Sequence, residues 1–136
     1  MAAQPPTARI EHVAIWTEEL ERLVDFYEKY FGAAAGSKYI NPAKGYESRF
    51  LNFAGGVRIE VMRSSTVSPV KHAPGTERMG LAHLAIAVGS MQRVQELTGR
   101  LMQDGFAVVD GPRHTGDGYF ESVVLDPDGN RIEITI

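Results

Sequence analysis

The chain carries one short motif twice. EHVAIW at 11–16 is echoed by AHLAIAV at 82–88, and each copy places one histidine inside an apolar run of strand length. A repeat constrains a fold more than any single motif does, because each copy must open one supersecondary unit of the same kind. The residues after each copy bear this out. IEHVAI reads as a strand, and Thr17 can cap a helix whose positive end suits Glu18 and Glu19. Leu20, Leu23, Val24, Tyr27 and Phe31 recur at helical spacing, and Gly32 ends the helix. After a loop rich in Gly, Asn and Pro, YESRFLNF and VRIEVM alternate as strands around Gly55–Gly56. In the second half LAHLAIAV is the strand and Ser90 the helix cap. Val94, Leu97, Leu101 and Met102 form the apolar stripe, and Gly105 is the stop. FAVV is a short strand, and GYFESVVL and NRIEITI form a hairpin around DPDG. Each half therefore reads as strand, helix, then about three strands, an α+β pattern. The expected organisation is a leader at 1–8 and one domain at 9–136, built as module one (9–63), a linker (64–79) and module two (80–136).

Side chains alternate across a strand, so sequence parity assigns faces. Val13 and Ile15 share one face; His12, Ala14 and Trp16 share the other. Leu84, Ile86 and Val88 oppose His83, Ala85 and Ala87 in the same way. In the last strand of module one, Val57, Ile59 and Val61 oppose Arg58, Glu60 and Met62. In module two, Ile132, Ile134 and Ile136 oppose Arg131, Glu133 and Thr135. The aliphatic faces suit the helices. Each half then turns one His and one Glu away from its helix. The spacings match, 48 residues from His12 to Glu60 and 50 from His83 to Glu133. Two imidazoles and two carboxylates suit a divalent metal of borderline hardness, and an octahedral centre would leave two positions for water or substrate. The expected ligands are His12, Glu60, His83 and Glu133, held on rigid strands.

Composition narrows the function classes. The chain has no cysteine, so a metal must take His and carboxylate ligands. A net charge of −3 without a basic stripe argues against nucleic acid and anionic membrane as partners. No apolar run approaches spanning length. MAAQPPTA lacks the basic and apolar regions of a signal peptide, which gives a cytoplasmic protein as the expectation.

The residues EHVAIW, LERLVDFYEKYFG, VRIEVM, GLAHLAIAV and LDPDGNRIEITI together resemble the glyoxalase, bleomycin-resistance and ring-cleaving dioxygenase superfamily, the vicinal oxygen chelate fold. The resemblance covers most of 10–136. It implies two tandem βαβββ modules whose mixed sheets curl around a central metal-binding cleft. Metal ligands would come from the first and last strands of each module, the positions of His12, Glu60, His83 and Glu133. It also implies a small-molecule substrate and a homodimer. The order His–Glu–His–Glu is similar to bacterial glyoxalase I, which implies one divalent ion per site (Ni, Zn, Co or Mn) and proton transfer alpha to a carbonyl. Glu133 would carry the proton, with Glu60 as second candidate. Two other readings belong to the same fold: an Fe- or Mn-dependent dioxygenase and a non-catalytic drug-binding resistance protein. The four intact ligands argue against the latter.

Glyoxalases of this family carry an Arg four residues after the first His and an Asn four residues after the first Glu, both serving glutathione. Here those positions hold Trp16 and Ser64. Trp16 suggests a flatter, more apolar substrate. GPRHTGDGYFES at 111–122 has three glycines and reads as a movable loop over the cleft. There Arg113 could receive an anionic group, and His114 or Tyr119 could help with protons. Arg49 and Tyr46, in KYINPAKGYESRF, are further candidate substrate contacts.

Overall fold

Alternating burial marks the strands of the computed structural model, which describes residues 7–70 and 72–136. Six residues of the expected leader, 1–6, lie outside those described. Module one runs β1 (His12–Trp16), α1 (Leu20–Phe31), β2 (Ala34–Ala35), β3 (Tyr39–Asn41), β4 (Tyr46–Asn52) and β5 (Arg58–Ser64). Module two runs β6 (Leu84–Ala87), α2 (Met91–Gln103), β7 (Val108–His114), β8 (Phe120–Leu125) and β9 (Arg131–Thr135). The sheets are ordered β1-β5-β4-β2, with β3 also on β4, and β6-β9-β8-β7. In each the opening strand lies parallel to the closing one, and the other pairs are antiparallel. This is the expected α+β pair of modules, two sheets rather than one closed barrel.

Helix α1 forms because its apolar residues recur at helical spacing and bury one stripe. Leu20, Leu23, Val24 and Tyr27 are almost fully buried and share the core with Leu51, Ile59 and Val61. Gly32 closes the helix in the left-handed conformation at φ +67°, which a side chain would disfavour. Thr17 acts one step earlier than expected. Its hydroxyl accepts the Glu19 N–H at 3.1 Å, and the helix begins at Leu20 without a side-chain cap. Ser90 does cap α2, accepting from the Arg93 N–H at 3.2 Å. Val94 and Leu101 of α2 join Val124, Ile132 and Ile134 in the core.

Two departures bear on the site. Module one divides its second strand into β2 and β3, because the chain turns between them and then again at the Pro42–Lys44 helical turn. The loop expected at 111–122 is instead mostly hairpin. β7 continues to His114 and β8 starts at Phe120, leaving only 115–119 as the tip. Cross-strand pairing with β8 overrides the local glycine signal there, at the expense of two register shifts in β7.

The modules meet through α1. The Tyr27 hydroxyl donates to Asp126 at 2.7 Å, Arg22 donates to the Pro127 carbonyl at 2.7 Å, and the Tyr30 hydroxyl donates to Asp104 at 2.6 Å. The Phe26 and Phe106 rings lie 5.0 Å apart. Asp126 opens the DPDG turn and accepts the N–H groups of Asp128 and Asn130, each at 2.9 Å. The turn that closes module two thus doubles as the socket for module one's helix. Burial raises the Asp126 carboxyl above its ordinary value, while hydrogen bonds from Asn130 and Tyr27 pull the other way. No helix among the described residues is long and apolar enough to cross a membrane.

Candidate metal and substrate site

The aliphatic side chains of β5 and β9 face the helices. Ile59, Val61, Ile132 and Ile134 are buried, whereas Arg58, Glu60, Arg131 and Glu133 are only partly covered. In the parallel ladders Ala14 lies opposite Glu60 and Ala85 opposite Glu133. His12 and His83 therefore fall beside those glutamates on the face away from the helices. His12 Nε2 lies 3.9 Å from Glu60 Oε1, and His83 Nε2 lies 2.8 Å from Glu133 Oε2. Both histidine side chains are 40% exposed, and the two glutamates 18% and 19%. The sequence repeat has become a repeated His–Glu pair.

Each pair has its own neighbours. Glu11 hydrogen-bonds His12 Nδ1 on one side and Arg58 on the other. A carboxylate only accepts, so Nδ1 carries the proton and Nε2 of a neutral His12 presents its lone pair towards Glu60. The His12 bond, then Arg58, holds the Glu11 carboxyl below its ordinary value of 4.5. Arg58 in turn lies over the Phe50 ring at 4.2 Å, and that ring meets His12 edge-on at 5.4 Å. In module two, Val123 lies opposite Glu133 and Glu121 opposite Thr135, so Glu121 shares the Glu133 face. Burial raises the Glu121 carboxyl, and the neighbouring Glu133 carboxylate raises it further. Glu11 gave no signal in the sequence, since Ala82 stands at its place in the repeat.

The other candidates divide by face. Trp16 is on the His12 face, 48% exposed, and meets the Tyr46 ring edge-on at 6.2 Å. Arg113 lies opposite Glu121 in the ladder, and its guanidinium is engaged by Asp110 at 2.9 and 3.0 Å. Tyr119 is 56% exposed in the hairpin tip. His114 packs its ring on Phe120 at 4.9 Å. Arg49 lies opposite Val61 and so points to the helix side. There it donates to the Gly36 carbonyl at 2.9 Å and to Glu21 at 2.8 Å, with the sheet between it and His12. Within one chain the two His–Glu pairs stay apart: among the described residues no three His, Asp or Glu side chains gather as a metal centre.

The family model described as Glyoxalase/Bleomycin resistance protein/Dioxygenase superfamily matches residues 9–134. The chain belongs to that superfamily. No curated protein matches it. Among solved structures, the trypanothione-dependent glyoxalase I of Leishmania major is 24% identical with a TM-score of 0.75, over 95% of this chain and 86% of that one. Glyoxalase I from Zea mays is 25% identical with a TM-score of 0.74, over 93% of this chain but 44% of its own. A glyoxylase/bleomycin resistance protein/dioxygenase domain from Frankia sp. EAN1pec is 18% identical with a TM-score of 0.79, over 96% and 98%.

Proposed function

We propose that the protein is a metal-dependent enzyme of the glyoxalase type that moves a proton alpha to a carbonyl of a small molecule. The observation that carries this reading is the repeated His–Glu pair, His12 with Glu60 and His83 with Glu133, on equivalent strands of the two modules. Two imidazole nitrogens and two carboxylates fit one divalent ion such as Ni, Zn, Co or Mn. When bound, such an ion polarises a substrate carbonyl. Glu133 then takes the proton from the adjacent carbon and returns it, with Glu60 as the second candidate base. Arg113, Tyr119 and Trp16 are proposed substrate contacts. Arg49, proposed from sequence alone, would first have to leave Glu21 and Gly36.

Separate pairs within a chain favour a homodimer in which module one of one copy meets module two of the other. Two features support that. Among the described residues, strands β1 and β6 each end a sheet with an unpaired outer edge. A cleft of about 1020 Å³ runs between them, lined by Val13, Ile59, Leu84, Ile86, Val88 and Leu97. A cytoplasmic location, with neither nucleic acid nor membrane as partner, completes the reading.

Elemental analysis of protein purified without chelator tests it, beside Glu60→Ala. About one divalent ion per chain, lost in the variant, is the expected result. Metal kept in full without Glu60, iron above all, would replace the four-ligand reading with an oxygenase-type three-ligand site.

A further inference from the structure

We propose that Trp16, Tyr46 and Tyr39 form a binding platform for a planar, uncharged ring, and so set the substrate class of the His12–Glu60 face. The platform follows from register. β4 pairs with β5 so that Phe50 lies opposite Glu60, Ser48 opposite Met62 and Tyr46 opposite Ser64. β3 pairs with β4 so that Tyr39 lies opposite Ser48. Residues opposite one another share a face, and so do residues two apart. The three rings therefore stand on the same face as His12 and Glu60. They also touch. Trp16 meets Tyr46 at 6.2 Å with planes at 87°, and Tyr39 meets Tyr46 at 6.1 Å and 60°. Tyr46, the half-buried central ring, braces two outer rings that are 48% and 57% exposed. Large aromatic side chains braced edge-on yet left this open are suited to stacking a further ring.

Charge decides what kind of ring. The charged side chains on this face by register are Arg58 and Glu60, and Arg58 is already held by Glu11. Around the rings stand Ser48, Met62 and Ser64, none of them charged. Arg49 and Glu47 of the same strand alternate to the opposite face. By register β3 and β4 put no charged side chain on this face beside the rings, so an aromatic or similarly flat, neutral group fits them best.

The repeat shows that the platform is confined to one module. Ala87 occupies the place of Trp16 in module two, and the facing strand β8 offers Glu121, Val123 and Leu125 in place of rings. A ligand would therefore lie one way round, with its flat end on module one. Trp16 follows His12 by four residues, about 13 Å along the strand. The ligand must accordingly be elongated, with a polar reacting head near His12 and Glu60 and a ring that reaches Trp16, about 13 Å along the strand from His12. The position of that head rests on the metal-site reading; the ring platform does not.

Trp16 is the sole tryptophan, so its emission reports this spot alone. The probes are a 2-oxo acid carrying a biphenyl group, the same acid with a saturated bicyclohexyl group, and pyruvate. Calorimetry gives their affinities, and bound metal is measured on every sample. The biphenyl acid should bind about tenfold more tightly than the bicyclohexyl acid and shift Trp16 emission. Trp16→Leu and Tyr46→Leu should erase that preference while retaining wild-type metal content. Equal affinity for the two acids would overturn the platform, as would a preference that survives Trp16→Leu. Emission that tracks protein concentration but ignores the ligand would overturn it too, and would assign the rings to contact between copies. A ring preference in protein that binds no metal would uphold the platform while defeating the metal reading.

Discussion

His83 illustrates how much one residue can reveal when its pattern is repeated. Alone, a histidine in an apolar strand is commonplace; matched with His12, and each with a glutamate on the same face, it becomes a candidate donor in the proposed ligand set. Replacing His83 with Ala should leave Glu133 without its 2.8 Å neighbour and remove stoichiometric metal, read by elemental analysis. Full occupancy in that variant would strike His83 from the ligand set. Glu11→Ala makes a finer test. Without the carboxylate, His12 loses the partner that fixes its Nδ1 proton, and metal affinity should fall by about ten- to a hundredfold while the fold stays intact. An unchanged affinity in a competition titration would mean that Glu11 does not orient His12. Parity alone made the His–Glu pairs legible in the sequence, because each lies on a strand whose other face is plainly aliphatic. Glu11 was not legible, since it acts from the residue before the strand and has no counterpart in module two.

At the scale of elements, legibility tracked periodicity and failed where pairing decided. Helix α1, strand β5 and strand β9 stand where their patterns put them, because each buries one face against the core. Arg49 could not be placed, since a shift of one residue in β4 reverses its side, and the ladder in fact sends it to α1. It works there as a tether. Glu21 on α1 receives both Arg49 and Lys38 at 2.8 Å, tying the helix to β4 and the turn before β3. The Lys38 hydrogen bond is the main cause that holds the Glu21 carboxyl below 4.5; burial opposes it, and the Arg49 hydrogen bond and charge add to the lowering. A carboxyl depressed in the folded state stabilises above its unfolded value, and that contribution disappears as pH falls through the folded value. Acid unfolding monitored by circular dichroism should therefore show wild type losing stability below about pH 4.5 more steeply than Glu21→Gln, with the two curves parallel at the acid extreme. Identical slopes would show that the tether contributes nothing to folding.

At the scale of the molecule, the two modules are joined through α1 and, among the described residues, left open between the unpaired edges of β1 and β6. The join rests on few polar contacts, of which the buried Tyr27–Asp126 hydrogen bond is central. Tyr27→Phe should lower unfolding stability by about 1–3 kcal/mol in urea, because a buried acceptor loses a donor that water cannot replace. The open side poses the larger question, whether a site is completed within a chain or between two. Mixing variants answers it. Refold His12→Ala together with His83→Ala at equal concentration. If each site takes module one from one copy and module two from the other, a mixed dimer holds one site with both defects and one with neither. Random pairing makes half the dimers mixed, so metal should return to about a quarter of the wild-type amount although neither variant binds it alone. If instead each chain completes its own site, every site in the mixture keeps one missing ligand and nothing returns. The unpaired edges of β1 and β6 among the described residues, and the apolar cleft between them, favour the first outcome, since a second copy would cover both at once.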